Sequence, residues 1–363
     1  MSIEQKLNDE FDKQIYDITK ANLMVVGGTG VGKSSLINRV FGEELAKTGA
    51  GAPVTRGCNK YEREHVPVVI FDTEGYEVVN GSINNSNFQQ SVIAEIERRE
   101  SLELKEQIHL YWYCISASNH RITDYDIANI KALNQRHAKL AIVITQCDSE
   151  EVDEDNKGVT SNSFRDVLKS AGIKNEVFET SATLEDKLQL DELTEWSANS
   201  LPTEKLKDAF IGAQLNSLEL KDKQASDAIL YATGASAAVA GLNPMPMSDS
   251  LAIVPIQMAL AARLAHIYGF NALSNSVLGL LKAQVVSLVG RQMAASLTKL
   301  IPILGQVINA GIAGGITNGL GHALKHTYRA AYVETLKTGT PPNWAQLFSN
   351  LDIFTYIKGY TSK

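Results

Sequence analysis

The stretch Gly27-Gly28-Thr29-Gly30-Val31-Gly32-Lys33-Ser34 constrains this chain more than any other, because spacing, residue type and context all ask for one chemistry. It runs glycine, four residues, glycine, lysine, serine. Ahead of it, Leu23-Met24-Val25-Val26 is a short apolar run suited to a buried strand. Behind it, Ser35-Leu36-Ile37-Asn38-Arg39-Val40-Phe41 has helical spacing, which places the motif at a strand-to-helix turn. A glycine-rich turn of no chemical use is the plain alternative, and the strand–turn–helix context argues against it. Glycines let backbone N–H groups close round phosphates, and a helix N-terminus adds positive potential. Gly28, Thr29, Gly30, Val31, Gly32, Lys33, Ser34 and Ser35 therefore form a phosphate-binding set. In it, Lys33 reaches the outer phosphates and the Ser34 hydroxyl helps hold Mg²⁺.

A chain of 363 residues has room for about two domains, and its 44% apolar content supports a substantial core. The net charge of −7 gives no support to nucleic-acid binding by the whole chain, so no nucleic acid is expected as a partner. Cys58, Cys114 and Cys147 are odd in number and lack zinc-type spacing, which fits reduced thiols in a cytoplasmic protein. Residues 1–20 are polar and charged, without the apolar centre of a signal peptide. Charge is unevenly spread: Ile229 to Leu324 carries only Asp249, Arg263, Lys282, Arg291 and Lys299. That segment is net positive while the remainder is strongly acidic, the mark of two parts with different surroundings.

Taken in order, Ile3, Leu7, Phe11, Ile15 and Ile18 mark an amphipathic helix over 1–20, expected to pack on the helical domain. Residues 48–53 have loop chemistry and lead into Val54-Thr55-Arg56. His65 to Phe71 is a buried strand, with Pro67 near its start or on an edge, and it ends in Asp72-Thr73-Glu74-Gly75. An acid at the end of an apolar strand, with glycine following, suits a water-bridged Mg²⁺ and a backbone N–H on a terminal phosphate. Residues 81–87 are a polar loop, and Ser91 to Gln107 is helical. Strands over Ile108–Ser116 and Leu140–Ile144 are separated by a helix over Thr123–Arg136. A helix over Ser163–Ala171 and a strand over Glu176–Glu179 complete an alternation that implies a mostly parallel sheet with its ligand at the strands' C-terminal edge.

On these residues, the segment 21–200 resembles the translation-factor-class GTPases, and within them the Era-like and immunity-related groups. The resemblance rests on an ordered set: the phosphate loop, Thr55, Asp72 to Gly75, Thr145-Gln146-Cys147-Asp148, and Ser181-Ala182. It implies that the nucleotide is GTP or GDP with Mg²⁺, and that Ser34, Thr55 and Asp72 are the metal's protein partners. It implies that Lys33, Thr55 and Gly75 act on the γ-phosphate. Thr145, Gln146, Asp148, Ser181 and Ala182 would hold the base, with Asp148 accepting hydrogen bonds that adenine cannot supply. Three residues depart from the pattern. Gln146 stands where these families usually carry a lysine, which implies modest affinity. Tyr76 stands where many carry a water-orienting glutamine, which implies slow hydrolysis unless a partner helps. Gly30 stands where some Era-like proteins place a potassium-binding asparagine. A second, looser likeness covers about 225–335. Leu242 to Pro246, Ser248 to Leu251, Pro255 to Ala259 and Arg263 to Gly269 resemble the apolar helical domain that accompanies some bacterial Era-like GTPases.

The expected architecture is α/β: a P-loop GTPase domain over 21–200 with helices on both faces of its sheet, plus an α-helical domain over 201–363 joined by the N-terminal helix. In that second domain, Thr203 to Leu220 has amphipathic spacing, Asn243 to Pro246 must turn, and Leu251 to Tyr268 is apolar all round with Pro255 in its first turn. Asn271 to Ser296 continues helical, and Leu300 to Leu324 is uncharged and long enough to span a bilayer. Its Gln306, Asn309, Thr317, Asn318, His322 and many glycines make a poor lipid-facing surface. A buried soluble bundle, reversible membrane contact and a membrane hairpin stay open, in that order. The function expected is a GTP-hydrolysing switch, formed with a GTP-dependent homodimer or oligomer, and located in the cytoplasm or peripherally at a membrane. A non-hydrolysing GTP-dependent scaffold is the alternative.

Overall fold

The structure, a computed structural model, describes residues 20–42, 52–55, 58–63, 66–73, 78–79, 82–83, 88–119, 121–148, 159–183, 188–242, 248–270, 310–349 and 356. Two compact units divide between Leu218 and Glu219. The readings over 1–19, 43–50, 149–158, 243–247 and 271–309 lie outside the described residues, among them the N-terminal helix and most of the uncharged run.

The first unit holds one seven-stranded sheet. Its strands are β1 (Ala21–Gly27), β2 (Ala52–Thr55), β3 (Cys58–Glu62), β4 (Val68–Thr73), β7 (Leu110–Ser116), β8 (Lys139–Thr145) and β9 (Val177–Glu179). A separate hairpin joins β5 (Val78–Val79) to β6 (Ser82–Ile83), and β6 falls in the stretch 81–87 expected to be loop. In the order β2-β3-β4-β1-β7-β8-β9, β1 pairs in parallel with both β4 and β7, and β8 and β9 extend the parallel run. Only β3 runs against the rest, pairing antiparallel with β2 on one side and β4 on the other, which leaves the sheet mostly parallel as expected. β2 and β3 were not legible as strands: β3 reads Cys-Asn-Lys-Tyr-Glu, with little apolar alternation to announce it.

Every residue of β1 and of β7 is buried, as strands covered on both faces require. Alternate residues point to opposite faces. Met24, Val26, Phe71, Tyr111, Tyr113, Ile142 and Ile144 enter one core cluster with Ile96, Ile130 and Phe164. These last three come from α2 (Ala94–Glu100), α3 (Asp124–Leu133) and α4 (Val159–Ser170). On the other face Trp112 stacks on Phe41 and meets Phe210 edge-on, and its indole N–H donates to Ser197. Those partners come from α1 (Lys33–Phe41), α6 (Glu204–Ala213) and α5 (Leu190–Asn199), so helices cover both faces. The helix expected over 91–107 is a π-helical turn over 88–93 leading into α2. The helix expected over 203–220 breaks after Ala213. Buried Gln214 accepts from the Ser217 N–H at 2.8 Å and donates to the Ser217 carbonyl at 2.8 Å, closing a turn that competes with the helix.

The second unit comprises α7 (Leu218–Leu242), α8 (Ser248–Ile267), α9 (Ala310–Thr338) and α10 (Trp344–Ser349) among the described residues. Pro255 lies inside α8 rather than in its first turn, because the helix begins earlier, at Ser248. Small residues bring the helices close: Ala313 is fully buried and Gly314 abuts Ala237 and Thr233. A buried polar layer ties three helices, with Gln257 donating to Thr317 at 3.4 Å and Thr317 to Ser236 at 2.8 Å. Asp222 accepts from Tyr268 at 2.6 Å and from Arg329 at 2.8 Å. Among the described residues, no helix is long and apolar enough to cross a membrane.

Gly321 tests this packing. A methyl added there would meet Ile229 Cγ1 at 2.7 Å and Leu260 Cδ2 at 3.1 Å. The overlap is expected to outweigh the ~1 kcal/mol that alanine gains over glycine in a helix, leaving Gly321→Ala destabilised by ~1–2 kcal/mol. Urea unfolding followed by circular dichroism should show the loss, with part of it recovered by adding Ile229→Ala. A Gly321→Ala protein as stable as wild type would contradict the close approach.

Candidate nucleotide site

Gly27 ends β1 against the backbone of β7: a Cβ on it would lie 2.4 Å from the Cys114 carbonyl oxygen, so no side chain fits. From there the loop crosses to Gly32, which has φ of 87° and serves as N-cap of α1. No side chain caps α1 and no acid stands in its first turn, so its first N–H groups are left for an external anion. Lys33 is buried, and its ammonium donates to the Gly27 and Gly28 carbonyls, each at 2.9 Å. Val31 is buried and Gly28 with it, whereas Thr29, Gly30, Ser34 and Ser35 are exposed round the loop.

Asp72 comes from β4, in register with Val25 of β1, and this brings its carboxylate near the Lys33 ammonium. Its Oδ1 is buried and has no hydrogen-bond partner. Burial pushes its carboxyl up to about 6, against the pull of Lys33 in the opposite direction. A buried carboxylate oxygen with no hydrogen-bond partner from the protein, close to an ammonium, is suited to ligating a cation. Together with the Ser34 hydroxyl it offers hard oxygen donors of the kind Mg²⁺ takes.

The second cluster sits at the ends of β8 and β9. The Thr145 hydroxyl donates to the Val31 carbonyl, tying the end of β8 to the phosphate loop. Gln146 has φ of 58°, a left-handed conformation that costs a residue with a Cβ roughly 1 kcal/mol. Its Nε2 donates to the Gly30 carbonyl at 3.2 Å, and its Oε1 accepts from the Ser116 hydroxyl. The Cys147 N–H donates to the Thr180 carbonyl at 3.2 Å. Asp148 Oδ1 accepts from the Ser181 hydroxyl at 3.0 Å, and that hydroxyl accepts from the Thr183 N–H at 3.1 Å. Ala182, half-buried, follows Ser181.

The structure thus brings together the phosphate loop, Asp72, Thr145 to Asp148 and Ser181-Ala182 at the C-terminal edge of the parallel strands. Thr55 ends β2, which is separated from β4 by β3. Gly75 and Tyr76 lie outside the described residues. Sequence reasoning passed over Ser116. Its signal was weak: a serine at the end of a strong parallel strand, on the edge where ligands bind.

Residues 22–146 match a family model described as 50S ribosome-binding GTPase. This part of the chain is a P-loop GTPase domain. Human Septin-12 is 26% identical over 157 residues, 37% of this chain and 43% of that protein, so the chain matches less than half the length of this curated relative. Among solved structures, a probable GTP-binding protein EngB has 14% identity and a TM-score of 0.36, covering 52% of this chain and 98% of its own. A dimerization-deficient mutant of Toc33 from Arabidopsis thaliana has 16% identity and a TM-score of 0.35, covering 58% of this chain and 92% of its own.

Asp72 gives the GTPase domain a pH signature. Its folded value of about 6 lies above its ordinary 3.8, so the folded state holds the proton more tightly and stability falls as pH rises between those values. Above pH 6 the ionised, desolvated carboxylate is a net cost. In nucleotide-free protein with chelator, Asp72→Asn is expected to be more stable than wild type at pH 7, by up to ~2 kcal/mol. The difference should fade towards pH 4. Thermal melts across that range check it, and equal melting temperatures at pH 7 would contradict it.

Proposed function

We propose that this chain binds GTP and hydrolyses it to GDP and phosphate, using the cycle as a conformational switch. The observation that carries the reading is the pairing of Lys33, at the start of α1 and folded over the loop carbonyls, with Asp72 at the end of β4, whose buried Oδ1 lacks a partner. Lys33 would leave the Gly27 and Gly28 carbonyls for the outer phosphates, while loop N–H groups from Gly28 to Ser35 hold the remaining oxygens. Ser34, Asp72 and Thr55 would hold Mg²⁺, which supplies neutralisation of phosphate charge when bound. Asp148, steadied by Ser181, would accept from the guanine N1 and amino groups, and the Ala182 N–H would meet the guanine oxygen. The segments carrying Thr55 and Gly75 are the parts that would order round the γ-phosphate.

Tyr76 supplies no amide to orient the attacking water. Turnover is therefore slow in the isolated chain and rises on self-association or with a partner. The helical unit serves as effector or as a membrane-contacting module, in a cytoplasmic protein that reaches a membrane only peripherally. The same Tyr76 favours one second reading, a GTP-dependent scaffold that does not hydrolyse its nucleotide.

Multiple-turnover phosphate release separates the two. The proposal expects release from GTP with Mg²⁺ that rises more than linearly with protein concentration and falls at least a hundredfold in Lys33→Ala. Failure to release phosphate at any concentration, with GTP still bound, would leave the scaffold reading standing.

A further inference from the structure

Gln146 is built into the site by a hydrogen-bond chain that runs in one direction. The Gly30 carbonyl can only accept, so the amide of Gln146 must turn its NH₂ group towards it. That leaves Oε1 facing Ser116, whose hydroxyl proton goes to it. The Ser118 N–H donates to the same hydroxyl oxygen at 3.1 Å, occupying a lone pair on its far side. Ser116 is buried, with 1% of its surface exposed, and it stands at the end of β7 in register with Thr145. Gln146 holds a left-handed backbone to make this reach. A neutral amide in this position is useful only when its donor end faces the phosphate loop. Flipped, it would set oxygen against oxygen.

We infer that Ser116 is a positioning residue for the nucleotide site: it orients the Gln146 amide so that Nε2 latches the Gly30 carbonyl and holds the phosphate loop in its binding shape. The inference rests on the guanine-nucleotide reading of the site. It makes Ser116 and Gln146 one unit, in which a neutral, directional donor is set by a neighbour. A lysine at 146 would need no such neighbour, because an ammonium donates from any of three protons and cannot present an acceptor.

The test is a double-mutant cycle on the full chain, reading dissociation of a fluorescent GDP in Mg²⁺ buffer. Ser116→Ala is expected to speed dissociation about tenfold, the value of one buried hydrogen bond, and Ser116→Thr, which keeps a hydroxyl, to restore most of the loss. In a Gln146→Lys background, Ser116→Ala should change dissociation less than twofold. Gln146→Glu preserves the acceptor for Ser116 but sets carboxylate against carbonyl, and it should release GDP at least tenfold faster. Thermal melts of the nucleotide-free variants separate loss of fold from loss of the latch. Equal effects of Ser116→Ala in both backgrounds would mean that Ser116 acts only through general packing, and would overturn the inference while leaving the guanine-nucleotide reading intact. A wild-type chain that binds no guanine nucleotide would overturn both.

Discussion

The placement of β1 between two parallel neighbours governs the rest of the nucleotide edge. At Gly27 the strand comes so close to the Cys114 carbonyl that only hydrogen fits in place of a side chain. The strand ends at this glycine, and the phosphate loop opens from that point. On one side β4 delivers Asp72 to the loop, and on the other β7 and β8 deliver Ser116, Thr145 and Gln146. Parallel pairing puts all of these at strand C-termini, which is why one edge collects a cation, an unsatisfied carboxylate and a row of loop N–H groups. Lys33 donates to its loop carbonyls, and the buried Asp72 Oδ1 takes no hydrogen bond from the protein. In the proposed function both engage the nucleotide and its Mg²⁺.

Much of this was legible in the sequence. The β1–loop–α1 unit could be read because the apolar run, the glycine spacing and the helical period agree with one another. The parallel strands were legible because burial on both faces makes them apolar throughout. The antiparallel edge was not: β3 is short and polar, and nothing local distinguishes Lys60 and Glu62 from loop residues. The break after Ala213 was missed for another reason, since helical spacing continues across it and only the buried Gln214–Ser217 turn interrupts the ladder. At the site, motif residues were found by type, but the latch was not. Gln146 read as a loss relative to lysine, whereas in the structure it reaches the Gly30 carbonyl while its Oε1 accepts from Ser116, thirty positions earlier in the chain.

The helical unit follows a different logic. Its helices are weakly amphipathic, and what sets their register is small residues at crossings together with polar pairs such as Thr317–Ser236 and Asp222–Arg329. Asp222 anchors several elements at once, taking bonds from Tyr268 on the segment after α8 and from Arg329 on α9. Lys221 beside it is wholly buried, donates to the Ile267 carbonyl at 3.1 Å and lies over the Tyr332 ring at 4.9 Å. Burial alone brings its ammonium down to about 7. The buried contacts among these, Thr317–Ser236 and Lys221 with the Ile267 carbonyl, specify one packing among several of similar apolar area, whereas Arg329 meets Asp222 at the bundle's exposed margin.

The proposed assignment of guanine rests on Asp148, held by Ser181 at the end of the parallel sheet. Its most direct test is a swap of base preference, measured by titrating GDP, ADP and xanthosine diphosphate into wild type and Asp148→Asn. The account predicts that wild type binds GDP at least a hundredfold more tightly than ADP, and that Asp148→Asn loses GDP and gains xanthosine diphosphate, whose ring carbonyl accepts from the new amide. Equal affinity of the wild-type chain for GDP and ADP, or a preference unmoved by Asp148→Asn, would contradict it.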